Sequence, residues 1–236
     1  MWFADRSREG DLFSHYTKMH EISLKSFEKY LAGDWEFVFY QEEVENIQEV
    51  FRDHFFKIYN LWKENAPCNI LYCGPDNIMM KPTEIFGRYD KFSMFNFTDP
   101  KTTRPGREDT NAYNVYHPHY FNADVRYYPA EMSQDTWDIG LQMAENWDFN
   151  CWGTEQVILN EMMWKQPGVT LENMLDPKLS YQGFHLFLDN WDQTNHAANL
   201  WNGMNAQDAH IIHVAGSRVA SKKVELMQVL WEMTNK

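Results

Sequence analysis

Asp76 stands just past an apolar run, Ile70-Leu-Tyr-Cys73, on the far side of a Gly74-Pro75 turn. A buried strand that stops at a turn and presents a carboxylate is how an α/β sheet places charge at its ligand-binding edge. Such an acid can hold a divalent cation and, through it, a diphosphate. Pro-Asp-Asn is also ordinary turn chemistry, so a turn-forming Asp is the plainer reading. His213 lies in a second apolar run, Ile211-Ile-His-Val-Ala-Gly216. Its imidazole would add a ligand that suits Mn²⁺ better than Mg²⁺, and a core histidine at a strand end is the alternative. Gly216 would admit a phosphate close to the backbone. Arg218, Lys222 or Lys223 could then reach that phosphate.

Two further groups carry polar chemistry. Asn122 and Asp124 flank Ala123, and the two-residue period of a strand puts them on one face. A small residue between two polar ones suits a strand on which a hydroxyl-rich ligand lies, and also suits a plain surface strand. Glu155 and Gln156 open a segment whose Val157, Ile158 and Leu159 would bury it. Neighbours on a helix point about 100° apart, so both can flank a ligand but cannot pair face to face. Lys57 by itself reads as a solvated base. His117 and His119 are two residues apart in a Pro-bent loop, which favours a solvated loop over a metal site.

The elements that would position these groups follow from periodicity. Met1 to Ala4 suits a first strand, and 11–32 a helix stopped by Gly33. Glu36 to Tyr40 reads as a strand, 44–62 as an amphipathic helix, and Ile70 to Cys73 as the third strand. That alternation predicts parallel pairing with crossover helices. A short helix is expected over Lys81 to Phe86, strands over 92–97 and 120–127, and a long loop over 98–119. A helix over 154–164 would begin at a Thr cap. A strand over 210–215 and a helix over 219–233 complete the expectation.

A chain of 236 residues suits one domain, with or without an appended subdomain. Its formal charge of −13 argues against nucleic acid and against a polybasic membrane contact, because no Lys/Arg field exists to meet phosphates. Aromatics at 16% point first to core packing and second to stacking on a sugar or base. Three Cys, at 68, 73 and 151, form neither a disulfide framework nor a zinc signature, so a reducing, cytoplasmic setting is expected. The charged start, Met-Trp-Phe-Ala-Asp-Arg, does not read as a signal peptide. No apolar run approaches the ~18 residues of a membrane span.

Taken in order, four segments resemble the nucleotide-sugar glycosyltransferases of the GT-A fold, most closely family 8. They are Asn69 to Met80, Phe121-Asn-Ala-Asp-Val125, Gly153-Thr-Glu-Gln-Val-Ile-Leu-Asn160 and Ile211 to Gly216. The family reads l-Y-x-D-x-D, F-N-x-G, D-Q-x-x-x-N and I-I-H-x-x-G at these places. The resemblance implies a GT-A-like, Rossmann-related α/β fold with a mixed, mostly parallel sheet flanked by helices. It implies a single domain over 1–236, with a nucleotide-binding half at 1–97 and a donor/acceptor half with a C-terminal helix at 98–236. It further implies transfer of a hexose from a nucleotide diphosphate sugar of UDP type to a hydroxyl acceptor, with retention.

Carried over residue by residue, Asp76 and His213 hold Mn²⁺ or Mg²⁺. Among the catalytic group, Glu155 orients the donor and Gln156 lies beneath the anomeric carbon. Asp124 stands where the family has Gly; it could bind a hydroxyl, the metal or the acceptor, and either Asp124 or Glu155 could instead act as base in an inverting reaction. Asp5, Arg6, Lys57, Asn122, Gly216 and Arg218 fall at donor-binding positions. Two departures stand out. The family's first metal acid is Gly74 here, and its Lys after the glycine is out of register. The rival reading is a catalytically silent nucleotide- or carbohydrate-binding module of the same fold. A third reading is a nucleotide-sugar hydrolase or a nucleotidyltransferase on a similar sheet, and the single Gly in Asp5 to Gly10 counts against the latter.

Overall fold

Apolar residues recur at helical spacing through the first stretch and form α1 over Leu12–Tyr30. The same spacing forms α2 over Ile47–Glu64. The computed structural model describes residues 12–38, 47–85, 89–98, 120–149, 153–169, 180–182, 209–214 and 220–235. The remaining elements are β1 (Ile70–Cys73), β2 (Asn77–Met79), β3 (Ser93–Thr98), β4 (Tyr120–Tyr128), α3 (Gln134–Ala144), α4 (Thr154–Lys165), β5 (Ser180–Gln182), β6 (Ile211–His213) and α5 (Ala220–Met233). They fall into two compact units. Unit 1 comprises Met1–Glu45, Cys73–Ile85 and Asp176–Lys236, and unit 2 comprises Asn46–Tyr72 and Phe86–Leu175.

In unit 1, β6 is the middle strand, antiparallel to β2 and parallel to β5. Met19 of α1, Ile78 of β2, Ile212 of β6 and Val224, Met227 and Leu230 of α5 share one buried cluster. Each such side chain contributes about 1.5–3 kcal/mol on leaving water. Polar contacts fix the layers. Ser26 Oγ accepts the Met79 N–H at 2.9 Å, tying α1 to β2. Lys29 Nζ and Tyr30 Oη both donate to the Thr234 carbonyl, at 3.2 and 2.8 Å, satisfying an orphan acceptor just beyond α5.

In unit 2, β4 is the middle strand between β1 and β3, and it runs antiparallel to β3. α4 is the central helix, buried over Val157, Ile158, Leu159, Asn160, Met162 and Met163. Much of the aromatic content is core here, as expected. Trp137 of α3 stacks flat on Tyr128, centroids 5.2 Å apart, and meets Phe55 edge-on at 6.1 Å.

Several expectations change. The described residues hold two three-stranded sheets with mixed pairing rather than one mostly parallel sheet. The alternation rule needs two strands of the same sheet on either side of each helix. Among the described residues of 12–73, β1 alone forms a strand, and Glu36–Val38 do not belong to one. Lys81–Ile85 is not helical. Thr83 instead bridges to Leu31, its N–H donating to Tyr30 O and its carbonyl accepting from the Ala32 N–H, so its backbone groups are already used. The N-cap of α4 is Gly153, not Thr154. Its φ of 87° is left-handed, which favours glycine. α3 was not anticipated at all; its signal was Ser133, whose hydroxyl caps the Thr136 N–H. The expected strand at 1–4 and residues 99–119 of the expected loop lie outside the described residues.

Candidate active site

Asp76 is both a turn residue and a buried one. The Gly74 carbonyl accepts from the Asn77 N–H and from Asn77 Nδ2, at 3.3 and 3.0 Å, which closes the turn. The Asp76 carbonyl in turn accepts the Val214 N–H at 2.8 Å. The strand register then does the positioning. Asn77 faces His213 across β2 and β6, so the imidazole arrives beside the preceding residue's carboxylate. His213 Nε2 lies 3.6 Å from Asp76 Oδ2. A third group completes the cluster: Lys223 Nζ, from the first turn of α5, donates to the same oxygen at 2.5 Å.

Burial pushes the Asp76 carboxyl up, but the Lys223 ammonium and then His213 outweigh it and hold it well below the usual carboxylate range. Asp76 is therefore an anion at any ordinary pH. Chemically this is a carboxylate oxygen and an imidazole nitrogen converging on one spot, a donor pair that fits a borderline cation such as Mn²⁺. An internal ammonium already touches that carboxylate.

Unit 2 holds the other candidates, and β4 is their platform. Met94 faces Arg126, while Asn96 faces Asn122. One β3 residue, Phe95, is thus spanned by the three β4 residues Ala123–Val125, a bulge that frees backbone donors from the ladder. Two of the predicted site residues satisfy those donors. Asn122 Oδ1 accepts the Asp124 N–H at 2.9 Å, and Gln156 Oε1 accepts the Ala123 N–H at 3.1 Å. Asn160, one turn after Gln156, clamps Phe121 N–H and carbonyl at 2.9 and 2.8 Å. Asp124 lies within this irregular stretch of β4.

Glu155 meets two internal partners. Its Oε1 accepts from Arg126 Nη1 at 2.7 Å and from His54 Nδ1 at 3.2 Å, all three side chains being buried. The Arg126 guanidinium also lies over the Tyr72 ring, 4.0 Å from its centroid. Burial raises the Glu155 carboxyl, and Arg126 followed by His54 more than reverses it, leaving it lowered. Burial lowers His54 from 6.5 to about 4 despite Glu155, so this histidine is neutral and its contact is an N–H···O bond. Burial raises Tyr72 well above 10 and Tyr128 to about 12, so both remain phenols.

Arg126, His54, Tyr72 and the pairing of Lys223 were missed from sequence, yet signals existed. Arg126 is a lone charge inside Val125-Arg-Tyr-Tyr128, and His54 falls between Val50 and Ile58 on the buried stripe of α2. A charge in an apolar stretch demands a partner. Lys57 is half-buried on α2. Asp5, Arg6, Gly216, Arg218, His117 and His119 lie outside the described residues.

No protein-family model matches this chain, and no curated protein matches it. Among solved structures it is similar to the apo-form glycosyltransferase GlyE of Streptococcus pneumoniae, at 14% identity and a TM-score of 0.46. That superposition covers 98% of this chain and 60% of the GlyE chain.

Proposed function

We propose that this protein is a metal-assisted glycosyltransferase that moves a hexose from a UDP-sugar to a hydroxyl acceptor. The observation that carries the reading is the meeting of Asp76 and His213. They come from the two motifs that the family resemblance pairs at a metal, and they lie 3.6 Å apart, side by side through the β2–β6 register. Asp76 and His213 would hold the divalent cation, whose chemistry there is to neutralise the leaving diphosphate. Gly216 and Arg218 are assigned to the diphosphate, and Asp5, Arg6, Lys57 and Asn122 to the donor.

Gln156 keeps its proposed place beneath the anomeric carbon. Its Oε1 spends one lone pair on Ala123, and its second lone pair is the group suited to face positive charge as the glycosidic bond breaks. Asp124 is assigned to the acceptor or to a donor hydroxyl. Glu155 is assigned a supporting role for the donor end through the strand and helix it joins, since its carboxylate is engaged by Arg126 and His54. A retaining outcome, a single glycosyltransferase domain over 1–236, and action in the cytoplasm belong to the same proposal. Among the described residues no helix is long and apolar enough to cross a membrane.

The rival, a silent binding module, is favoured by one observation. Gly74 removes the family's first acid, and Lys223 neutralises the acid that remains. The transferase reading and a nucleotide-binding module both predict nucleotide binding, and the transferase reading alone predicts turnover. Thermal unfolding with UDP and a panel of UDP-hexoses, with and without Mn²⁺, tests the first. A ligand that binds only the folded chain raises its melting temperature. Release of UDP from the stabilising donor tests the second. If no nucleotide or nucleotide sugar shifts the melting temperature with Mn²⁺ present, the reading is wrong. Binding without UDP release would leave the module.

A further inference from the structure

We propose that Lys223 is a built-in counter-cation at Asp76 that suppresses divalent-cation binding and so sets the cation affinity of the site. The inference rests on reading Asp76 and His213 as cation ligands. Lys223 Nζ lies 2.5 Å from Asp76 Oδ2, the same oxygen that His213 Nε2 approaches at 3.6 Å. The atom a cation would share with the imidazole is therefore already bound to an ammonium. Both partners of that pair are 8% exposed, so water does little to screen them. The ammonium is also delivered by a fixed arm. Lys223 sits in the first turn of α5, next to Val224 and one turn before Met227, both of which are in the unit 1 core.

The charge count in this turn sharpens the argument. With Gly74 in place of a second acid, the turn Gly74-Pro75-Asp76 offers one negative charge, and one ammonium cancels it. An incoming divalent cation must displace that ammonium from a buried carboxylate or lie beside a like charge in a poorly screened setting. Either route opposes binding of the cation alone. Removing the ammonium while keeping its apolar stem reverses the balance: the buried carboxylate then lacks a counter-ion, and a divalent cation becomes its natural partner.

The test titrates MnCl₂ alone into the full chain, followed calorimetrically and by the electron paramagnetic resonance of free Mn²⁺. Lys223→Met should bind Mn²⁺ on the order of tenfold tighter than the parent, or more. Lys223→Arg, which keeps the charge, should stay at the parent affinity, and Asp76→Asn/Lys223→Met should lose the gain. Because Lys223→Met strips a counter-ion from a buried carboxylate, its melting temperature should fall and recover with Mn²⁺ more than the parent's rises. Lys223→Gln provides the same comparison should the Met variant fail to fold. Equal Mn²⁺ affinity in the parent and the uncharged variants, or no Mn²⁺ binding in any of them, overturns the proposal. UDP-dependent stabilisation measured on the same samples separates the two ideas. A parent that responds to UDP while the Lys223 variants bind Mn²⁺ unchanged sinks the counter-cation role alone.

Discussion

Glu155 shows how a side chain's internal neighbours bear on a sequence-based role. In the sequence its carboxylate stands at the start of a helix, and in the fold it accepts from Arg126 at 2.7 Å and from neutral His54 at 3.2 Å. Breaking such a buried pair from one side leaves an uncompensated charge, commonly at a cost of about 3–5 kcal/mol. Glu155→Gln should therefore lower unfolding free energy by about that amount in urea. Pairing it with Arg126→Met should recover part of the loss. Near-parental stability in Glu155→Gln would mean the carboxylate is available for the donor after all. Gln156 makes the complementary case. If it faces the anomeric carbon, Gln156→Ala should lower kcat by on the order of 10²-fold while leaving UDP binding nearly intact. His213→Ala should instead weaken Mn²⁺-dependent UDP binding, a ground-state contact kept through the reaction. Calorimetry with UDP and Mn²⁺, alongside single-turnover transfer on both variants, separates these roles. Parental turnover in Gln156→Ala would leave that side chain as a brace for the β4 bulge.

The elements of unit 2 explain why such precise placement is possible. α4 presents Gln156 and Asn160 one turn apart to the backbone of β4, and together they accept or donate at Phe121 and Ala123. A bulged strand otherwise leaves those groups wanting partners. The packing on the other side of α4 is equally close. A Cβ on Gly140 of α3 would meet the Met162 sulfur and lie 2.8 Å from Phe55 Cζ. Gly140→Ala raises intrinsic helix propensity, yet overpacking commonly costs about 1–3 kcal/mol and should win here. The variant should be less stable than the parent by that amount in chemical denaturation. A more stable variant would show that Met162 swings aside freely.

For the molecule as a whole, the buried titratable groups set the response to acid. His54 falls from 6.5 to about 4 on burial. Between those values the unfolded chain binds the proton and the folded chain does not, so stability declines as pH falls through that window. The loss sums to at most about 3 kcal/mol. His20, lowered to about 4 chiefly by burial, acts with the same sign. Asp76 and Glu155 are depressed carboxylates, so their contribution is complete above the ordinary carboxylate range and is lost as pH falls below it. Urea unfolding at about pH 7 and about pH 5 should show lower stability in acid, and His54→Gln should narrow the gap. An unchanged gap would place the acid sensitivity elsewhere.

Most regular elements were legible without the structure. The apolar stripes of α1, α2, α4 and α5 and the β-branched and aromatic runs of β1, β3, β4 and β6 are local, and local periodicity states which side of an element is buried. The candidates Asp76 and His213 were legible too, Asp76 just past an apolar run and His213 within one. What periodicity cannot state is which residue a buried charge will meet. Lys223 reaches Asp76 across 147 positions and Arg126 reaches Glu155 across 29, and those meetings are settled by strand register and helix docking. The bulge in β4 is of the same kind. Its extra residues exist only relative to β3, so no reading of one strand contains them. The sequence determined most of the elements and offered the candidate side chains, and the tertiary structure decided which of those side chains are engaged by internal partners.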